Sequence, residues 1–438
     1  MKIFPGSRAR KILENSEKYY ATTTQSSRIV VSNREGPLVI DVDGNKFYDF
    51  HCDASVNNLG GNNLEIRQKI IEQLNTGNFF SEHHNAPNEK TVKLAEILSQ
   101  KSPVIKPSKV FFSNSGAEAN EAARKLCVGY RVRTGQKNRK TAIYFRNGFA
   151  GRTKGVLSGT SSKAETQRDP FWDHCDQINS LYVPYPTIYN SEGVIKIFDN
   201  IMLENVDRLL VELSCQGEGG IIPSYKKTIS YIIEKAQKAG VICIVDAIQC
   251  GMGRDGPLFG CDTFPYLFND VSSKIVPDIL TLGKALGGGL PIGVTIFRSN
   301  LDFEKGQHAN TFGGGPLVSS VALEVFSQIE NMISSGLIKK LENSLIKNLF
   351  DVQNIYRDLI LESPRGRGAM WALEFVSKEI RDQVIYLAEE IVLTEGIGLR
   401  FLGAGRKAIR FMPPLNISQE ELNNAFHILK KTLLNVKV

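Results

Sequence analysis

Nowhere in the 438 residues is there an apolar run of membrane-spanning length, and the basic N-terminus leads into charged and polar sequence up to Tyr20 with no apolar signal core. A membrane or exported protein is therefore not expected, and a cytoplasmic one is. Cysteine is sparse and unpatterned. Seven residues, an odd number with no CxxC pair, argue against a disulfide framework and for a reducing compartment, and no metal-ligand set is expected. Charge of one sign is also lacking: the net charge of +7 is dispersed and leaves no electrostatic footprint for nucleic acid or a membrane surface. The densest basic run, Arg131 to Lys140, follows a helix-like segment and reads as a solvated face. There is neither an internal repeat nor a low-complexity segment.

With 42% hydrophobic and 23% charged residues, the chain has the composition of a globular protein with two or three domains. Residues 1 to about 35 read as a polar arm with a short helix near Lys11 to Tyr19. A hairpin follows, with alternating Leu38 to Val42, an Asp43-Gly44 turn and Phe47 to Phe50. Helical periodicity covers Leu64 to Leu74 and Lys90 to Leu98. Short apolar runs then alternate with helical ones: Lys109 to Phe112 before Ala117 to Arg133, Thr141 to Phe145, Leu209 to Glu212 before Ser230 to Ala239, Val241 to Val245, Ile279 to Leu282 and Ile292 to Phe297. This alternation predicts an α/β fold with a largely parallel sheet covered by helices on both faces. Beyond Pro316 the pattern is helical to about Leu361, and a closing helix is expected near Gln419 to Leu434. The expected division is 1–60 (arm and hairpin, part of a smaller α+β domain), 61–330 (large domain) and 331–438 (the rest of the smaller domain).

Open α/β sheets bind ligands at the carboxyl ends of their strands, so the residues just after each strand carry the chemistry. After Phe112, the turn Ser113-Asn114-Ser115-Gly116-Ala117 opens a helix whose free N–H groups suit a phosphate; simple capping by Ser115, with Glu118 three residues on, is an equally good reading. After Phe145, Phe149 lies between glycines beside Arg152, either a core aromatic or a ring stacked on a flat ligand. After Val211, Glu212 and Glu218 sit among Gly217, Gly219 and Gly220, which suggests close backbone approach rather than a solvated loop. Asp246 ends a strand apolar enough to be central, and a buried carboxylate needs a partner. Lys284 follows the apolar run Asp278 to Gly283 and precedes Gly287-Gly288-Gly289. A lone lysine there is most simply solvated, but the glycines favour a bound ligand.

Two alternatives fail on local grounds. Gly251-Met252-Gly253-Arg254-Asp255-Gly256 matches a dinucleotide fingerprint, but Pro257, Phe259 and Gly260 follow without helical period. An NTPase phosphate loop ending at Lys284 would need glycine at Asp278 and a hydroxyl residue at Ala285. A lysine, an aspartate, a phosphate-type helix start and a stacking aromatic together describe a site for pyridoxal 5′-phosphate.

On these residues the sequence resembles the class III aminotransferases, fold-type I pyridoxal phosphate enzymes that include 4-aminobutyrate, ornithine and acetylornithine aminotransferases. The resemblance runs from Asp41 to Pro414 and is most specific between Asp246 and Gly289. It implies that Lys284 bonds to the cofactor aldehyde as an imine and Asp246 holds the pyridinium proton. Ser115, Gly116 and Ala117 would take the phosphate, Phe149 would stack on the ring and Gln249 would contact the 3′-oxygen. Thr311 would reach the phosphate of a neighbouring subunit, implying a homodimer or a larger assembly. Arg410 would grip a substrate carboxylate, Glu218 would pair with Arg410 when an ω-amine is bound, and Arg152 would take a distal carboxylate. Three departures bear on substrate choice: Ala150 in place of a common histidine, Ala247 in place of glutamate, and a Glu212 to Glu218 segment one residue longer than usual.

The implied reaction moves an amino group from a small-molecule amine donor to a 2-oxo acid such as 2-oxoglutarate. A 4-aminobutyrate-like ω-amino acid is the first expectation and ornithine or acetylornithine the second. A racemase, epimerase or aminomutase of the same family, and a binding protein that keeps the fold without turnover, remain open at this point.

Overall fold

The computed structural model describes residues 3–22, 27–80, 85–174, 179–261 and 275–437. Seven strands build the central sheet: β1 (Ser108–Ser113), β2 (Thr141–Phe145), β3 (Ser180–Val183), β4 (Val206–Val211), β5 (Ile242–Asp246), β6 (Ile279–Gly283) and β7 (Gly293–Arg298). Their order is β1-β7-β6-β5-β4-β2-β3. β7 runs antiparallel to both β6 and β1, whereas β6, β5, β4, β2 and β3 pair in parallel, so the predicted parallel sheet is mixed at one place. β4, β5 and β6 are buried along their whole length. That requires cover on both faces and explains why they read as unbroken apolar runs rather than alternating ones.

Two smaller sheets use both ends of the chain. The hairpin Leu38–Asp41 and Lys46–Asp49 pairs in parallel with Ile397–Arg400, and a strand not anticipated within the arm, Val31–Glu35, adds to its other edge. Its side chains alternate too weakly to show, since four of the five are exposed. The second sheet is ordered Arg365–Arg367, Met370–Glu374, Ala408–Phe411, Leu402–Ala404. An apolar cluster including Phe50, Phe401, Phe411 and Phe426 packs these elements with the helices Leu337–Ile355 and Gln419–Leu434. The helix Lys378–Glu390 and the strands Ile397–Arg400 and Leu402–Ala404 were not legible in sequence.

Two expectations about local sequence resolve in opposite ways. The Gly251 to Gly256 run forms turns, not a helix start, and its Arg254, fully buried, donates to Asn58 Oδ1 and to the carbonyls of Ala369 and Pro413 at 2.5 to 3.2 Å. This guanidinium ties the strand that carries Arg410 to the central sheet. The basic run, by contrast, is a solvated face at Arg133, Lys137 and Lys140 but not at Arg131 and Arg139. Arg131 is buried, paired with Asp207 at 3.0 Å and donating to the Gly240 carbonyl, while Arg139 donates to three backbone carbonyls. Charge density alone could not show that Asp207, 76 residues on, supplies the anion. Among the described residues no helix is long and apolar enough to cross a membrane.

Candidate active site

The carboxyl ends of β1, β2, β4, β5 and β6 converge on one cavity of about 260 Å³. Gly116, Ala117, Phe149, Arg152, Glu218, Asp246, Gln249 and Lys284 all line it, as do Ala150 and Glu212. Ser115, Arg410 and Thr311 do not line it.

Asp246 ends β5 and is buried. Its carboxylate accepts from Asn120 Nδ2 at 2.7 Å and from the Ile248 N–H at 2.9 Å. Burial pushes its carboxyl up to about 6, against the opposing pull of those two donors and of Lys284. An acid raised in this way has room for a cationic N–H partner. Asn120 is itself fixed: its amide oxygen accepts from Thr281 Oγ1 at 2.9 Å and its Nδ2 also donates to the Ala150 carbonyl. Neither Asn120 nor Thr281 stood out in sequence. The only signal for Thr281 is a hydroxyl inside the otherwise apolar Ile279 to Leu282.

Lys284 directly follows β6 and opens a short 3₁₀ turn with φ of +44°. A side chain larger than glycine in this left-handed region is strained, and such strain concentrates at functional positions. Burial lowers its ammonium pKa; Arg410 adds to that, and the carboxylates of Glu218, Asp246 and Glu212 oppose it. A neutral, nucleophilic amine is thereby favoured.

The capping reading of the helix start is seen directly. Ser115 caps the helix Gly116–Arg133 by accepting from the Glu118 N–H at 3.2 Å, and the Ser115 carbonyl takes the Ala119 N–H. Glu118 does not return the bond to Ser115 but reaches Asn114 N–H at 2.7 Å. The N–H groups of Gly116 and Ala117 are left as donors at the positive end of the helix dipole, on the cavity wall. A Cβ at Gly116 would lie 2.8 Å from Ile248 Cγ2, so only glycine keeps the wall open.

Opposite in origin is the Glu218 and Arg410 pair. Arg410 lies on Ala408–Phe411 of the second small sheet, and its two terminal nitrogens meet the two oxygens of Glu218 at 3.0 and 3.1 Å. Burial works against ionisation of Glu218, but this bidentate pair outweighs it and holds the carboxyl far below the usual range. Gln249 Nε2 donates to Glu218 at 3.3 Å and to the Ala54 carbonyl at 3.4 Å, while the buried Gln249 Oε1 and Arg410 Nε have no partner among the described residues. Ala54 belongs to a turn with no counterpart in the sequence reading: Cys52, Asp53, Ala54 and Ser55 all have φ between +46° and +74°. Asp49 and Asp53, bridged by Arg34 and Arg400 at 2.5 to 3.3 Å, hold it in place.

Arg152 is exposed at the cavity and, among the described residues, makes no hydrogen bond or ion pair. Thr311 lies on an exposed loop; the adjoining Phe312 is 66% exposed, its ring 5.2 Å from that of the exposed Phe80. The donor set, a buried acid, a half-buried amine and a bare helix start on one cavity, fits pyridoxal 5′-phosphate.

Known proteins give the same class. The family model for class-III aminotransferases matches residues 19–433. An acetylornithine aminotransferase from Clostridium acetobutylicum is 32% identical over 95% of this chain and 100% of its own length. A mitochondrial acetylornithine aminotransferase from Yarrowia lipolytica is 32% identical over 96% of this chain and 95% of its own. The solved ornithine aminotransferase of Toxoplasma gondii superimposes with a TM-score of 0.82, at 24% identity, covering 97% of this chain and 95% of the other.

Proposed function

The chain belongs to the class III aminotransferases and is a pyridoxal phosphate enzyme; from that premise we propose that its donor is an ω-amine of the acetylornithine or ornithine type and its acceptor a 2-oxo acid such as 2-oxoglutarate. The observation that carries this reading is the closed Glu218–Arg410 pair, in which Glu218 lines the cavity and Arg410 stands behind it. A donor whose reacting carbon bears no carboxylate leaves that pair closed; an oxo acid brings a carboxylate that competes with Glu218 for Arg410. Arg152, without a protein anion, then takes the far carboxylate of either substrate. A 4-aminobutyrate donor has the same layout, but the relatives at 32% identity are named for acetylornithine, and this moves that substrate ahead.

When bound, the cofactor supplies an aldehyde carbon for the amine and a ring that draws electrons from the substrate carbon. The protein does the rest. Asp246, oriented by Asn120 and Thr281, holds a cationic ring N–H. Ser115 shapes the helix start from which Gly116 and Ala117 donate to the phosphate, Phe149 covers one ring face, and Gln249 reaches the 3′-oxygen. Lys284 takes and returns the proton at the substrate carbon, a role worth about 10² to 10⁴ in rate. Thr311, exposed and not lining its own cavity, serves the site of a second copy, making the working unit a homodimer.

A spectrophotometric panel tests the donor. With 2-oxoglutarate present, N-acetylornithine or ornithine should give the highest kcat/KM, with 4-aminobutyrate well behind. Fastest turnover with 4-aminobutyrate would reverse the order.

A further inference from the structure

Glu212 lies one residue past the end of β4, deep in the cavity wall, at 9% exposure. Its two oxygens serve two different loops. Oε2 accepts from the Phe149 N–H at 3.0 Å, and Oε1 accepts from the Gly217 N–H at 3.1 Å. Phe149 is the ring-facing residue of the loop after β2, and Gly217 directly precedes Glu218. The loops follow different strands, and this one carboxylate bonds to the backbone of both, beside a second link from Gln216 to the loop after β2.

Neighbouring groups confirm that each loop is closely fitted around this carboxylate. The carbonyl of Arg146 accepts from Gln216 Nε2 at 2.9 Å, and a Cβ at Gly217 would fall 1.5 Å from Gln249 Oε1, so the backbone at 217 has no freedom to shift toward the cavity. Tyr185 donates its hydroxyl to the Glu212 carbonyl at 2.6 Å, which fixes the backbone from which the side chain springs. Burial first, and Asp246 second, push the Glu212 carboxyl up to about 8, while the N–H groups of Gly217 and Phe149 pull it back. Both backbone donors favour the ionised form, and a buried carboxylate with two such donors is a costly arrangement that packing alone does not require.

We propose that Glu212 is a positioning residue that clamps the ring-covering loop at Phe149 to the gate loop at Glu218, so that cofactor seating and carboxylate selection are set together. The proposal rests on the roles given above to Phe149 and Glu218. It explains why a loop one residue longer than usual still delivers Glu218 to Arg410: the extra length lies between two points, Glu212 and Gly217, that the side chain of Glu212 itself ties together.

The test uses Glu212→Gln and Glu212→Asp in the full chain. Glutamine keeps the volume but presents N–H to one of the two backbone donors, so one loop is released; aspartate keeps the carboxyl group but is one methylene too short to reach both. Each variant should bind pyridoxal phosphate about tenfold more weakly in titrations of the apoprotein. The visible circular dichroism of the bound cofactor should fall, and KM for 2-oxoglutarate should rise by a larger factor than kcat falls. A packing role alone would lower the melting temperature without these changes. If either variant folds and shows the wild-type dissociation constant, dichroism and KM, the clamp is wrong. Wild-type protein run alongside separates the two failures: if it neither binds the cofactor nor turns over, the underlying reading fails, whereas a normal wild type with unaltered variants sinks the clamp alone.

Discussion

The two walls of the cavity are built in different ways. The wall with Asp246, Lys284, Asn120 and Thr281 rests on adjoining central strands and one long helix, β5, β6 and Gly116–Arg133, and hydrogen bonds of 2.7 and 2.9 Å join Asp246, Asn120 and Thr281. The wall with Glu218, Arg410 and Gln249 joins a loop, a strand of another sheet and a left-handed turn, and it holds unpaired polar atoms at Gln249 Oε1 and Arg410 Nε. The first wall is pre-set for one group. The second is held in place by an ion pair that a substrate carboxylate can replace. Rigid elements suit the chemistry common to every substrate, and loops suit the choice between substrates.

Removing the centre of the first wall tests the contrast most severely. Lys284→Ala should cut turnover by about 10⁴-fold or more, since it removes both the covalent partner and the proton carrier. Melting of the apoprotein should change little or rise, because the desolvation cost of the amine is removed while the strained backbone is unchanged. Steady-state activity within tenfold of wild type would show that the two walls are not divided as described.

Glu218→Gln strikes the second wall and should produce a different pattern. Arg410, 1% exposed at its side chain, would lose the one anion paired with it among the described residues; breaking a fully buried pair costs about 3–5 kcal/mol, and with Glu218 27% exposed the loss should lie at or below the lower end. The expected result is a clear drop in melting temperature that 2-oxoglutarate restores, with a larger ligand-induced shift than in wild type. Donor KM should rise while the reaction with the oxo acid is spared. An equal thermal shift in both proteins would mean that Arg410 does not receive the acceptor carboxylate.

How much of this was legible follows the same division. Asp246 and Lys284 announce themselves because each is the single charged residue at the end of an apolar run, a signal local in sequence. The helix start at Gly116 shows for the same reason. Asn120, Thr281 and the clamp at Glu212 act through hydrogen bonds spanning 126, 161 and 63 residues, and no periodicity records such pairings. Arg131 failed for that reason too: a basic run looks solvated until Asp207 is brought beside it. The fold was legible where strands were buried on both faces and not where they were short and exposed, as at Val31–Glu35.

The turn at Cys52 to Ser55 gives the smallest and most discriminating test. Four consecutive residues in the left-handed region, none of them glycine, cost roughly 1–2 kcal/mol each, and the turn survives because Asp49 and Asp53 are bound by two arginines. In an ordinary helix, alanine to glycine loses about 1 kcal/mol. At Ala54, with φ of +58°, the sign should reverse or vanish: Ala54→Gly should leave the melting temperature unchanged or higher, and Ala54→Val should lower the unfolding free energy by about 2 kcal/mol, because a branched side chain tolerates this backbone least. The Ala54 carbonyl also anchors Gln249, which in turn touches Glu218. A glycine that loosens the turn should therefore raise KM for the oxo acid by a few-fold even as the fold gains stability. Stability and KM moving together, both worse in Ala54→Gly, would mean that the turn is ordinary packing and that the second wall begins at Gln249.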